Sequence, residues 1–249
     1  MKKSALRAGL CAALIALSAP ALAQTQAAPY LSPAETPDLK AWLPLTPAPG
    51  SLEDRFDIDT YRATRALIGT PRGQTASDDD IYLPEFVAPR FAGALGFTPS
   101  PETTPRLLAL MKRAERDVEI MADPIKQDPP KGRVRPFVAF PGQPICPLKP
   151  ADLQFRLPAT GSFPSIHSAF GTLFALIFAE LEPSREDALL ARGFDFGQSR
   201  VVCGFHYPSE VNAGRLMGTV MFARLMQNPA FRADLDAAKA EYLAAKARR

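Results

Sequence analysis

Residues 168–181 read Ser-Ala-Phe-Gly-Thr-Leu-Phe-Ala-Leu-Ile-Phe-Ala-Glu-Leu, a run that is apolar nearly all the way round. A helix with no polar face has nothing to present to water, so this segment predicts a helix buried at the centre of a bundle. Glu182-Pro183 ends it. Ser184 is then expected to cap a further helix, with Arg185, Glu186 and Asp187 in its first turn and Gly193 near its end. Pro208 to Met226 predicts another helix, closed by Asn228-Pro229. Residues 230–247 are rich in Ala, Lys and Arg, with Leu235 and Leu243, and predict a surface helix at the C-terminus.

Upstream of the central run the pattern is again helical. Thr104-Pro105 makes a suitable pair of N-cap and first helical residue. After it Leu107, Leu110, Met111, Ala114, Val118 and Met121 recur at a spacing of three to four, the mark of an amphipathic helix. Residues 57–68 predict one more, stopped by Gly69-Thr70-Pro71. Residues 24–50 carry Pro29, Pro33, Pro37, Pro44, Pro47 and Pro49, an extended arm lying on the surface or partly loose. Convincing alternation of period two is missing, and there is no internal repeat and no second composition regime. The expected fold is all-α, a single-domain helical bundle over residues 51–249 behind the arm.

Composition excludes several classes. Apolar residues make up 47% and charged residues 22%, too apolar for a disordered chain. The formal charge of +3 is carried by the N-terminus: residues 1–23 hold Lys2, Lys3 and Arg7 and no acid, and the remainder balances to zero. A balanced chain argues against general binding to nucleic-acid polymers, which requires a broad basic surface. A local cationic pocket is still open to it.

Residues 1–23 read as a leader for export. A basic start precedes an apolar stretch from about Ala8 to Leu17, and Ala21-Leu22-Ala23 places small residues where a signal peptidase reads them. The apolar run is too short to span a bilayer comfortably, so cleavage after Ala23 and a periplasmic protein off the membrane are expected. Cys11 leaves with the leader. Cys146 and Cys203 then form an even pair in an oxidising compartment, and a disulfide between them is expected. Closing a loop of that length would contribute roughly 4 kcal/mol on the chain-entropy account. Neither C-x-x-C nor H-x3-H spacing occurs, so no zinc site is expected.

Only two histidines are present, and each lies among polar and cationic residues: His167 in Phe163-Pro164-Ser165-Ile166-His167-Ser168, and His206 in a stretch from Ser199-Arg200 to Ser209-Glu210. Further upstream is Lys131-Gly132-Arg133-Val134-Arg135-Pro136. Ser165 to His167 directly precede the central helix, whose first backbone N–H groups favour an anion. Arg135 and Arg200 each offer a planar fork of donors suited to phosphate oxygens. Two histidines can divide the work of nucleophile and general acid. Glu210 stands four residues after His206 and can reach back to its ring, fixing the tautomer. Together these groups describe a phosphoryl-transfer pocket that needs no metal. Against this stands a plainer reading, in which the histidines are satisfied structural residues, the arginines pair with surface acids, and Ser165 is only an N-cap.

The order of these residues resembles that of the class A bacterial non-specific acid phosphatases, within the superfamily of type 2 phosphatidic-acid phosphatases and vanadium haloperoxidases. That pattern runs Lys-x6-Arg-Pro, Pro-Ser-Gly-His, Ser-Arg-x5-His-x3-Asp. Arg135-Pro136, Pro164-Ser165 with His167, and Ser199-Arg200 with His206 match in order. Gly193 to Arg200, Cys203 to His206, Asn228 to Phe231 and Gly69 to Gly73 are also similar to the class A type, and the resemblance covers most of residues 30–245. It implies an all-helical periplasmic phosphomonoesterase working at acidic pH without metal or other cofactor. It implies that His206 attacks phosphorus, that His167 protonates the leaving oxygen, and that the residue at 210 orients His206. It implies a phosphate held by Arg135, Arg200, Ser165, a lysine and the backbone N–H of Ile166. It also puts Cys146 and Cys203 where the family's disulfide lies, and allows a homo-oligomer and phosphotransfer to an alcohol.

Three positions depart from the pattern. Asp128 stands seven residues before Arg135, so the phosphate lysine is Lys126 if two residues are inserted, or else Lys131; Lys126 is favoured. Ile166 replaces the glycine, which strains the backbone if φ is positive there and otherwise narrows the pocket. Glu210 replaces the aspartate and is longer by about 1.5 Å, so the His206 ring is expected to shift. The alternatives carried forward are a degenerate member that binds phosphate or a partner with little turnover, and a vanadate-dependent haloperoxidase with His206 as the metal ligand.

Overall fold

The computed structural model describes residues 27–43, 46–126, 133–148 and 157–248. The leader at residues 1–23, with its cleavage point, and also Asp128 and Lys131 lie outside the described residues. The helices in chain order are α1 (Leu52–Thr64), α2 (Pro71–Asp78), α3 (Pro84–Val87), α4 (Ala92–Leu95), α5 (Pro105–Lys126), α6 (Pro136–Ala139), α7 (Ile166–Leu181), α8 (Glu186–Cys203), α9 (Pro208–Leu225) and α10 (Pro229–Ala247). Among the described residues there is no strand.

The central run is the axis of the bundle. Phe170, Leu173, Phe174, Ile177 and Phe178 of α7 are fully buried, and α8, α9, α5 and α10 all pack against it. Two glycines set how closely α8 approaches. A Cβ on Gly193 would stand 2.5 Å from the Ala175 Cβ and 2.7 Å from the Gly171 carbonyl oxygen, so no larger residue fits. Gly193 is therefore a point of close packing in the middle of α8 and not, as its sequence position suggested, a helix end.

Other helix ends also differ from expectation. Helix α1 begins at Leu52 and not at Asp57, because the Ser51 side chain accepts the Asp54 N–H and caps it there. Ser184 is not an N-cap. It lies inside a 3-10 turn, Pro183–Arg185, and its hydroxyl donates to Glu182, 2.5 Å away. Thr104 precedes α5 as expected, but its hydroxyl donates to the Ser100 carbonyl. The first-turn amides of Arg106 and Leu107 donate instead to the Glu241 carboxylate of α10, at 3.0 and 3.2 Å. On α10 itself Phe231, Leu235, Ala238, Tyr242 and Ala245 form one buried stripe, while Leu243 faces solvent.

The Pro-rich arm is tied down from Tyr30 onward. The backbone N–H groups of Tyr30 and Leu31 both donate to the Asp117 carboxylate at 2.9 Å, and the Arg113 guanidinium lies 3.7 Å from the Tyr30 ring centroid. Cys146 and Cys203 are joined in a disulfide, and the Cys146 N–H donates to the Cys203 carbonyl at 3.1 Å. This fixes the C-terminal end of α8, where the chain turns towards the second histidine.

Candidate active site

The site forms where α7 begins, α8 ends and α9 begins. Ser165 has extended backbone and caps α7, its hydroxyl accepting the Ser168 N–H at 3.3 Å. Its own proton is left to donate, although the side chain is fully buried and does not itself line the cavity. A Cβ at Gly214 would lie 2.2 Å from the Ser165 carbonyl oxygen, so glycine there lets α9 run against the cap.

Ile166 is the first residue of α7, and among the described residues no non-glycine residue has positive φ. The backbone at Ile166 is thus unstrained, and its side chain acts by occupying space in the cavity wall. His167 follows in the first turn. Its ring stacks on Phe196 with centroids 4.5 Å apart and planes within 6°, and Tyr82 meets it edge-on at 5.8 Å. Its two nitrogens are buried, the Asp79 backbone carbonyl is the hydrogen-bonding group that acts on the ring, and the residue lines the cavity.

Gly204, at φ 82°, ends α8 in the left-handed region, and the chain reverses before Pro208 starts α9. His206 is held in that reversal. Its Nδ1 lies 3.0 Å from Glu210 Oε2, and its Nε2 lies 3.0 Å from a terminal nitrogen of Arg135. A guanidinium only donates, so Nε2 carries the lone pair and Nδ1 carries the proton directed at Glu210. Glu210 Oε2 also accepts from the Ser162 hydroxyl at 2.5 Å and the Tyr207 N–H at 3.1 Å. The longer side chain therefore reaches the ring at an ordinary hydrogen-bond length. Arg133 stands behind it, 3.6 Å from Glu210 Oε1, in ion pairs with Asp57 and Asp54 of α1.

Three cations converge on the same space. Arg135 precedes α6, whose first residue is Pro136, and its Nε donates to the Pro158 carbonyl at 2.8 Å. Lys126 ends α5 and donates to the Gly161 carbonyl at 2.8 Å. Residues 158–162 are thus one connection that aims Arg135, Lys126 and Glu210 together. Arg200, on α8, is paired with Asp80 in a contact that is buried on both sides. His167, His206, Lys126, Arg135, Arg200 and Ile166 line a cavity of about 500 Å³.

Burial dominates the electrostatics. It lowers the His206 pKa well below the usual imidazole range, and Arg135 and Arg200 add to the effect. Burial, then Arg200, does the same to His167. Burial and Arg135 lower Lys126 to about 7, and burial and Arg200 lower Arg135 to about 10. Glu210 is pushed up to about 7 by burial, against its hydrogen bonds from Ser162 and Tyr207. A pocket with this much crowded positive charge favours an anion, and one bearing several oxygens can satisfy several donors at once.

The structure brings together every site residue expected from the sequence except Ser165, which sits just behind the wall, and Lys131, which is outside the described residues. The sequence reading did not single out Ser162, Asp80, Phe196 or Tyr82, and Arg133 was noted only as part of a basic stretch.

Residues 131–233 match a family described as the PAP2 superfamily. The chain is 36% identical over 216 residues to a non-specific acid phosphatase of Salmonella typhimurium, covering 86% of this chain and 83% of that protein. It is 35% identical over 213 residues to a non-specific acid phosphatase of Providencia stuartii, covering 86% and 84%. It is 37% identical over 196 residues to an acid phosphatase of Zymomonas mobilis, covering 78% and 72%.

Proposed function

The chain belongs to the non-specific acid phosphatases of the PAP2 superfamily, and we propose that it hydrolyses phosphomonoesters through a phosphohistidine on His206. The observation that carries this reading is the His206 tautomer: Nδ1–H is committed to Glu210, and the Nε2 lone pair faces the cavity, held by Arg135. A bound phosphoryl group draws Arg135 onto its oxygens, together with Arg200, Lys126, the Ser165 hydroxyl and the Ile166 N–H. Nε2 then attacks phosphorus, and the bond from phosphorus to the leaving oxygen breaks. His167 gives that oxygen its proton. In the second half His167 takes a proton from water, the oxygen of which attacks phosphorus. The P–N bond breaks, and its electron pair returns to Nε2. An alcohol in place of water completes a phosphotransfer.

This scheme requires His167 to be protonated at the outset, although burial and Arg200 hold its proton off. An incoming phosphate dianion offsets that positive charge, so protonation of His167 is coupled to substrate binding and favoured at acidic pH. The donor set of the cavity is cationic and suits an anion better than a divalent metal ion, which supports metal-independent turnover. Among the described residues no helix is long and apolar enough to cross a membrane. With the leader at residues 1–23 cleaved, the arm at 24–50 and the helical domain at 51–249 would act in the periplasm.

Steady-state hydrolysis of p-nitrophenyl phosphate with EDTA, across pH 4–8, tests the proposal. Turnover that survives EDTA and a phosphoenzyme stable to an alkaline denaturing quench are expected. Loss of turnover with EDTA, restored by a metal ion, would count against it.

Two further outcomes follow from the cavity. Lys126 is charged below about 7 and loses its proton above it, so inhibition by inorganic phosphate weakens as pH rises through that value. Lys126→Met should flatten this dependence; a profile unchanged by the substitution would remove Lys126 from the phosphate site. Ile166→Gly clears space at an unstrained position, so activity on 2-glycerophosphate should rise at least about threefold relative to p-nitrophenyl phosphate. An unchanged ratio of kcat/KM would show that Ile166 does not restrict the ester.

A further inference from the structure

The wall of the cavity away from the phosphate donors is formed by Tyr82, Arg116, Glu119 and Asp123. Glu119 and Asp123 are one turn apart on α5, and Lys126 follows within the next turn. One face of this helix therefore leads from two carboxylates to the phosphate lysine over roughly 10 Å, about the reach of a small alcohol beyond its phosphoryl group. The buried His167 lines the same cavity and, as the proposed acid, must meet the leaving oxygen. The leaving alcohol is thereby confined near these carboxylates.

Resting on the phosphatase reading, we propose that Glu119 and Asp123 make this enzyme selective for phosphomonoesters of cationic or neutral alcohols over esters whose alcohol carries a second negative charge. The distribution of charge in the cavity supports this. Lys126, Arg135 and Arg200 face the phosphoryl group, with Asp80 and Glu210 beside them, so they are largely neutralised once it binds. The leaving group then faces Arg116, Glu119 and Asp123. Arg116 pairs with Glu119 at 2.9 Å, where burial raises the carboxyl against the pull of Arg116, and Asp123, which also attracts Lys126, is the acid of this wall that makes no hydrogen bond or ion pair with any described residue. Glu115, one turn before Glu119, adds nothing at acidic pH because burial pushes it up to about 9. One uncompensated charge at the edge of a low-dielectric cavity is worth about tenfold in the preference for one charge over the other.

The test uses a matched series: O-phosphoethanolamine, 2-hydroxyethyl phosphate and phosphoglycolate, which differ at one end in charge and little in size. Their kcat/KM values at about pH 6 are compared between wild type, Asp123→Asn and Glu119→Gln. Reading each variant's ratio against wild type cancels the intrinsic reactivity of the esters. The ratio of phosphoethanolamine to phosphoglycolate is expected to fall about tenfold in Asp123→Asn, mainly through KM, and severalfold in Glu119→Gln. In wild type the ratio should also shrink as salt is raised, which needs no substitution and covers a variant that fails to fold. Ratios within twofold of wild type in both variants, or a wild-type ratio insensitive to salt, would overturn the proposal. If no ester at all is turned over, p-nitrophenyl phosphate included, the phosphatase reading itself falls and takes this one with it.

Discussion

His206→Ala should lower kcat on p-nitrophenyl phosphate by at least about 10⁴-fold, because in the proposed reaction it removes the group that forms the bond to phosphorus. The ring is 3% exposed and sits between Glu210 and Arg135, so its removal also leaves space and two unmatched polar groups. A loss of about 1–3 kcal/mol in stability is expected from that, which far-UV circular dichroism and thermal melting would separate from loss of chemistry. Glu210 retains its bonds from Ser162 and Tyr207 in the variant, so the start of α9 should persist. The decisive comparison is with His167→Ala. That variant keeps the nucleophile and loses the acid and base, and p-nitrophenolate leaves readily without a proton. It should therefore accumulate phosphoenzyme while turning over slowly, whereas His206→Ala should yield none. Phosphoenzyme in a folded His206→Ala protein would move the nucleophile to another residue.

The sequence was most legible where a residue's role is set by its own neighbours in the chain. Helix α7 could be read because its apolar residues leave no polar face. The contact of Glu210 with His206 could be read because both lie within one turn, at the start of a helix opened by Pro208. Legibility failed where a distant partner decides. The amides at the start of α5 are capped by Glu241, which is 134 residues from Leu107, and no local pattern announces that. Gly193 looked like a stop, but it is selected by the approach of α7. Asp80 pairs with Arg200 across 120 residues of chain, and Ser162 reaches Glu210 across 48, so both were invisible as members of the site. At Ile166 the sequence left strain and steric restriction as alternatives, and only the backbone angle decides between them.

Charge explains why those distant partners matter. The cavity gathers cations in a place where burial opposes charge, and it lowers the pKa values of both histidines and of Lys126. Such a site is stable only if acids stand behind it, and Asp80 behind Arg200 and Glu210 behind His206 are those acids. Glu210 takes the Nδ1 edge of His206 and leaves Nε2 to Arg135 and the cavity. In the proposed reaction this arrangement keeps His206 neutral and able to attack, and its cations favour a phosphate over water.

Glu210→Ala tests that arrangement and should lower kcat/KM by about 10³-fold. Without the carboxylate, the Nδ1 proton loses its acceptor and only Arg135 at Nε2 still biases the tautomer, and the tautomer with a protonated Nε2 cannot attack. The Ser162 hydroxyl and the Tyr207 N–H lose their acceptor at the same time, which frees the loop that also positions Lys126 and Arg135. Glu210→Gln separates charge from position. Its amide oxygen can still accept from Nδ1, so the remaining loss, about 10–100-fold, measures the stabilisation of the imidazolium formed on attack. Burial already holds the Glu210 pKa at about 7, so the carboxyl is partly protonated at the pH of assay, and the gap between wild type and Gln should widen as pH rises from 5 to 7. Glu210→Asp restores the residue of the family pattern, yet the shorter chain draws back from Nδ1 in a pocket whose Ser162, Tyr207 and Arg133 are set for glutamate. It should cost about 10–100-fold, as expected of a misplacement near 1 Å. A Glu210→Ala enzyme within tenfold of wild type would show that His206 is oriented by something other than Glu210. An Asp variant faster than wild type would show that the surroundings had not adapted to the longer side chain.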